Sequence, residues 1–355
     1  MMKLSTKLLL LLAAMLILGG VLLGAFTVAV LGLPEGEQYR TYRTDHAGDI
    51  GLITADIGSA AVQIKTATGD GIFVICNDVE DDRRITVTEQ DGTLHIKNTP
   101  DRFRLLDIGS WFRFGDRPKY DVEIALPEAY AGRLELDITS GALIAEDADC
   151  ASMKVDITSG STRIEELRCA GDLDVKSSSG RVVLEDIVCG GSLTLDSVSG
   201  SVHLFDVKLD GMLTVDSTSG SLMMERIEAE GNITAELTSG TLGVTGPIVG
   251  RNINLRTISG AIIGNFLTAE SVDAETTSGK ILLQVIDADA IRLKTGSGSI
   301  YASVTDKQGA YAITSSTVSG SNNLPPVQSG GAKQLDVHTG SGSITIEFDA
   351  YSAKK

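Results

Sequence analysis

At 355 residues with a net charge of −17, the chain presents a surface that repels phosphate, which argues against nucleic acid as a partner. Glycine is abundant at 39 residues, proline scarce at 7 and aromatics only 5%. That mixture argues against a helical bundle and suits many short strands separated by glycine corners. The length accommodates two or three domains or one long repeat array.

Residues 1–7 carry Lys3 and Lys7 and read as a cytoplasmic N-terminus. From Leu8 to Leu33 there is no charged residue, and Thr27 is almost the only polar one. As a helix these residues would run roughly 39 Å, enough to span a hydrocarbon layer of ~30 Å with some tilt. Lysines before the stretch and Glu35 and Glu37 after it orient the body outside the cell. A cleaved signal peptide is the competing reading, but its apolar core is normally ~7–15 residues, and only a passable site at Thr27-Val28-Ala29 is present. The reading is an uncleaved single-pass transmembrane helix over 8–33, followed by a linker over 34–45.

Residues 46–130 read as irregular strands, a cap with early rungs. Within them Asp101–Lys119 gathers Arg102, Arg104, Arg113, Arg117 and Lys119 in an otherwise acidic chain, around the only tryptophan, Trp111, with Phe112 and Phe114 beside it. Basic residues interleaved with aromatics suit a membrane interface or a partner contact, with Arg104, Trp111, Phe112, Arg113 and Phe114 as the interaction residues. The alternative is that these aromatics plug the open end of the repeat array.

From residue 131 the dipeptide Ser-Gly returns at Gly141, Gly160, Gly180, Gly200, Gly220, Gly240, Gly260, Gly279, Gly298, Gly320 and Gly342. Seven residues before the glycine stand Leu134, Met153, Leu173, Leu193 and Leu213, and five before it Leu136, Val155, Val175, Leu195 and Val215. Polar residues such as Asp156, Asp196 and Asp216 follow at −4, the period-two mark of half-buried strands. An antiparallel meander with Ser-Gly hairpins would set the apolar −7 column against the acidic +6 column of Asp147, Glu166, Asp186 and Asp206. A solenoid stacks each residue on its own kind and demands the near-constant repeat length seen here. The expected fold is therefore all-β, a parallel β-solenoid (β-helix) of roughly 20-residue rungs preceded by one N-terminal transmembrane helix. Regular rungs occupy 131–305, two last rungs with an inserted loop 306–349, and a tail 350–355. Three corners per rung are expected: Ser-Gly, the acidic pair at +5 and +6, and a later glycine (Gly171, Gly191, Gly211, Gly231, Gly250). Eleven rungs at ~4.8 Å would make a rod of roughly 50 Å.

The Ser-x-Ser-Gly rungs, the N-terminal membrane helix and the strand Tyr120–Pro127 before the array resemble the bacterial adhesin-like β-strand-repeat family, which includes LiaG-like membrane-anchored envelope proteins. The resemblance covers about residues 45–349. It implies a surface-exposed parallel β-solenoid linked to adhesion or envelope-stress sensing, and it supplies no catalytic residues.

The acidic corner is the most site-like feature. Glu165, Glu166, Glu185 and Asp186 stack over two rungs, where a weakly held calcium ion would screen their repulsion; hydrated charge is the alternative, and the nonapeptide calcium-roll signature is absent. No other cofactor is expected. Cys150, Cys169 and Cys189 each follow the glycine by nine, where later rungs place Leu209, Ala229, Val249 and Ala269, so they read as core thiols. A bridge between neighbouring rungs is the alternative. A β-helix polysaccharide enzyme would need a convergent catalytic cluster, but His46, His95, His203 and His338 lie far apart. The functional expectation is a non-catalytic binding, adhesin-like or scaffolding module held at the cell membrane, its partner a cell-wall glycan or a membrane protein. A sensory ectodomain acting on membrane partners is the alternative.

Overall fold

In the computed structural model, residues 39–46, 49–79, 85–98, 121–128 and 130–350 are described. The hydrophobic span 8–33 and the segment with Arg104, Trp111, Phe112, Arg113 and Phe114 lie outside the described residues. Among the described residues no helix is long and apolar enough to cross a membrane.

The body is a parallel β-solenoid. Before the regular array come β1 (Tyr39–His46), β2 (Leu52–Ala67), β3 (Ile72–Val79), β4 (Ile85–Gln90), β5 (Thr93–Asn98) and β6 (Val122–Pro127). Regular rungs follow as β7 (Arg133–Cys150), β8 (Ser152–Cys169), β9 (Leu173–Cys189), β10 (Leu193–Leu209), β11 (Leu213–Ala229) and β12 (Ile233–Val249). The next turns divide into β13 (Asn252–Ser259), β14 (Ile262–Ser278) and β15 (Ile281–Ser297). The chain ends with β16 (Ile300–Val304), β17 (Tyr311–Ser319), β18 (Val327–Gln328), β19 (Lys333–Ser341) and β20 (Ile344–Glu347).

Neighbouring rungs pair like with like. Leu193 stands between Leu173 and Leu213, Leu195 between Val175 and Val215, and Gly200 between Gly180 and Gly220. The expected −7, −5, +2 and +4 columns are the core; Leu173, Leu184, Leu193, Leu204, Leu213 and Met224 are fully buried. The −3 column is also interior but polar in the middle of the stack, with Ser177, Ser197, Ser217, Thr257, Thr276 and Thr295 buried. Thr276 Oγ1 donates to Gly260 O at 3.1 Å and Thr295 Oγ1 to Gly279 O at 2.9 Å, so these hydroxyls satisfy inward-facing corner carbonyls.

Each rung bends three times. At the Ser-Gly corner the glycines adopt positive φ, 134° at Gly200 and 124° at Gly220. At the second bend the +6 residue is left-handed whatever its identity: Asp186 (53°), Asp206 (52°), Arg226 (53°), Phe266 (56°) and Val285 (58°). Asp tolerates that region, whereas the β-branched Val285 is strained there. At the third bend the Gly211 N–H donates to Gly191 O and the Gly231 N–H to Gly211 O, both at 2.9 Å.

Two column assignments need correction. Gly250 does not continue the third-corner ladder; the Arg251 N–H takes that place, donating to Gly231 O at 2.8 Å. Val249, expected in the core beneath Ala229, faces outward at 38% exposure. Both follow from one extra residue at Gly246-Pro247, which shifts the pairing so that Ile227 meets Ile248 and Glu228 meets Val249.

Both ends depart from chain order. At the N-terminal end β2 lies in register on β7, with Ala60 opposite Gly141, so the stack opens one tier before the first Ser-Gly. The far edge of β2 carries β5 and β6, both parallel and both later in the chain. Antiparallel strands close that end, β4 on β5, β3 on β6 and β1 on β3. At the C-terminal end β19 inserts between β15 and β17. The last tier in space is therefore Tyr311–Ser319, not the Leu335–Ile346 rung that the sequence order suggests. The loop between them blunts the edge: Asn323 Nδ2 donates to Ile346 O at 2.8 Å, and the Ile346 N–H donates to Asn323 Oδ1 at 3.0 Å.

Candidate binding groove

The period-two pattern of the −7 to −3 strand sends the −4 side chains outward, and the bend at −2 turns the next residue outward again. Stacked over β8 to β14, these two columns enclose an open groove of about 660 Å³. One wall is charged, running Asp156, Lys176, Asp196, Asp216, Glu236, Arg256 and Glu275; the other is Ser178, Val198, Thr218, Thr238, Ile258 and Thr277. Seven rungs at ~4.8 Å give the groove a length of roughly 29 Å. Val198 and Ile258 are 56% and 57% exposed, so this wall offers apolar contact between hydroxyls.

The charged wall carries both signs, with Lys176 and Arg256 flanking the three consecutive acids Asp196, Asp216 and Glu236. Lys176 Nζ lies 3.9 Å from Asp196, and Arg256 lies 3.2 Å from Glu236 and 3.7 Å from Asp273. Arg292 reaches Asp273 at 3.0 Å, and Lys294 reaches Glu275 at 2.9 Å. Lys294 holds the Glu275 carboxyl below its ordinary pKa by a hydrogen bond. Asp216 is different: partial burial, then the carboxylates of Glu236 and Asp196, raise its pKa. The middle of the wall is thus its most strongly negative part.

The four histidines lie away from the groove. His46 pairs with Glu89 at 2.8 Å, His95 with Thr54 at 2.8 Å, and His338 with Asp336 at 2.6 Å, while His203 sits edge-on to Phe205 at 6.1 Å. None of the four lines the groove.

The acidic corner lies elsewhere, beside the second bend. Glu165 and Glu185 pair in register, and Arg163 reaches both, contacting Glu165 and lying 3.4 Å from Glu185. Its hydrogen bond lowers the Glu165 pKa. Glu166 and Asp186, at the left-handed bend, point into solvent. The structure therefore brings Glu165 and Glu185 together around a guanidinium and leaves Glu166 and Asp186 apart from them. Among the described residues no group of three or more His, Cys, Asp or Glu is arranged to hold a metal ion.

Sequence reasoning singled out the acidic corner and passed over the groove, although the signal was present as the outward −4 and −2 residues of each Ser-x-Ser-Gly unit. The profile of the Toastrack DUF4097 family matches residues 50–247 and 244–355. The chain belongs to that family. The resemblance carried by the Ser-x-Ser-Gly rungs is thereby borne out. No curated protein matches this Toastrack chain. Among solved structures it is similar to a candidate lipid binding protein from Parabacteroides distasonis ATCC 8503, at 14% identity and TM-score 0.34, covering 87% of this chain and 97% of that one. It is also similar to a candidate cell adhesion protein from Clostridium sporogenes ATCC 15579 (10% identity, TM-score 0.19, 88% and 100% covered). A third is a candidate adhesin from Bacteroides fragilis NCTC 9343 (14%, 0.23, 88% and 99%). At these scores the likenesses carry no functional weight.

Proposed function

We propose that this Toastrack protein is a non-catalytic binding module of the cell envelope, anchored by residues 8–33 with its solenoid outside the membrane. The observation that carries the reading is the groove of β8–β14, where the same two outward columns recur at every rung. A surface that repeats every ~4.8 Å along one axis suits an extended polymer laid along it better than a compact small molecule. The hydroxyls and charged groups of its two walls can hydrogen-bond the hydroxyls and amides of a cell-wall glycan, and the exposed aliphatic groups can lie against its ring faces.

The test is co-sedimentation of the full chain, in detergent, with insoluble cell-wall glycan. Val198→Asp together with Ile258→Asp changes only exposed ridge positions, so the melting temperature should hold while the bound fraction falls at least several-fold. Undiminished glycan binding by the double variant would remove the groove from the reading. Retention of a membrane protein, with no glycan bound, would favour a sensory ectodomain instead. Protease added to intact cells should digest the body and leave a small N-terminal fragment; a protected body would reverse the orientation.

A further inference from the structure

Three cysteines occupy one interior column on consecutive rungs. Cys150 is the registered partner of Cys169, and Cys169 of Cys189. All three are buried, at 4%, 4% and 1% exposure, and all are thiols. The fourth cysteine, Cys76, lies on β3 in the cap, outside this column. In-register parallel neighbours stand ~4.8 Å apart at Cα, inside the disulfide range of about 4.4–6.8 Å. Two rungs apart the separation is about 9.6 Å, beyond the ~7 Å limit for a bridge. Cys169 can therefore bridge either neighbour, and its neighbours cannot bridge each other.

We propose that Cys150, Cys169 and Cys189 form a thiol–disulfide exchange site that holds one disulfide and one thiol, with Cys169 the obligatory member of either bridge. The inference rests on the strand register and not on the groove or the anchor. The oxidant is a low-molecular-weight disulfide, R–S–S–R, met while the rungs are still closing, since the finished column is shielded from solvent. The Cys169 thiolate attacks it, forming a Cys169–S–S–R mixed disulfide and releasing RS⁻. The thiolate of Cys150 or Cys189, its proton lost to solvent, then attacks Cys169 Sγ and expels the second RS⁻. Two cysteine thiols are oxidised and one external disulfide is reduced to two thiols. In the folded protein the remaining thiol can attack Cys169 Sγ of the bridge, its proton passing to the sulfur it displaces, so that one sulfur–sulfur bond breaks as the other forms. That step moves the bridge by one rung with no net redox change and needs no access from outside.

In the closed column the three thiols also influence one another. A hydrogen bond from Cys150, then one from Cys189, holds the Cys169 thiol below its ordinary pKa. Contact with Cys169, together with burial, pushes Cys150 and Cys189 up. These directions agree with the strand register, which makes the middle sulfur the one common to both bridges and the outer two its alternative partners.

The full chain, refolded with oxidised glutathione, alkylated and digested with trypsin, tests this. Cleavage after Lys154, Arg168, Lys176 and Arg181 puts the three cysteines on separate peptides. The expected products are Cys150–Cys169 and Cys169–Cys189 links, with two of the three column thiols unavailable to alkylation in each molecule. Cys150→Ala and Cys189→Ala should each keep one bridge, and Cys169→Ala should lose it. A Cys150–Cys189 link, a column bridge surviving in Cys169→Ala, or three alkylated column thiols in the wild type would overturn the proposal. The wild-type map decides the matter by itself if a variant fails to fold.

Discussion

A Cβ placed on Gly220 would stand 1.7 Å from the carbonyl oxygen of Gly200, the residue directly beneath it in the stack. With φ at 124°, the position refuses a side chain on backbone conformation and on space together. Gly220→Ala should therefore cost about 3 kcal/mol or more, read by chemical denaturation. Ser219 at the same corner donates its hydroxyl to Val198 O at 3.3 Å, and Ser219→Ala should cost only about 0.5–1 kcal/mol. Equal costs would mean that the corner does not need its glycine.

Leu213 is wholly buried, while Asp216, three residues on, faces out of the same strand. Leu213→Asp should lose about 4 kcal/mol through an unpaired interior charge. Asp216→Asn should stabilise slightly at pH 7. Because the folded-state pKa of Asp216 is raised above its ordinary 3.8, its contribution is fully present below pH ~3.8 and lost as pH rises through the folded value. The gain in Asp216→Asn should hence vanish in acid and grow on going to neutral pH. Thermal melts of both proteins across that range check the sign.

Arg163 lies against both Glu165 and Glu185 and offsets part of their repulsion. Millimolar calcium should leave the wild-type melting temperature unmoved. Arg163→Ala should melt lower, by no more than about 1 kcal/mol of stability at so exposed a site, and calcium should restore part of that loss. A calcium shift already present in the wild type would return the strip to the ion-binding role its spacing suggested.

Asn323 pairs its amide with both backbone groups of Ile346, acting as a fragment of strand on the exposed edge. Asn323→Ala leaves those groups unpaired and should cost about 1–3 kcal/mol. Amide exchange at Ile346 should accelerate, and light scattering should show edge-to-edge association.

The sequence made the repeating part of this molecule legible because the solenoid stacks identical positions: Leu193 on Leu173 and Gly200 on Gly180 already stand as columns in the aligned repeats. It failed where the repeat is broken. Ala60 holds a corner place without the glycine that marks the others, and the extra residue at Gly246-Pro247 moves Val249 from inside to outside while barely altering the spacing. The groove was overlooked because its residues differ in type from rung to rung and share only their direction. Charge repetition drew attention to Glu165 and Glu185, but their partner Arg163 belongs to a different column.

The out-of-order ends bear on a problem common to all repetitive chains. Rungs this alike could slide past one another by one whole repeat, exchanging Leu for Leu and Ser-Gly for Ser-Gly with little loss of contact. Here a slip of that kind is blocked, since β2 is trapped between β7 and the later strands β5 and β6, and β19 is trapped between β15 and β17. Sliding would require unthreading one end before any interior rung could move. The same weave sets a timetable for synthesis: β17 has no floor to rest on until the ribosome has delivered β19. The last tiers must close together, after nearly the whole chain has emerged.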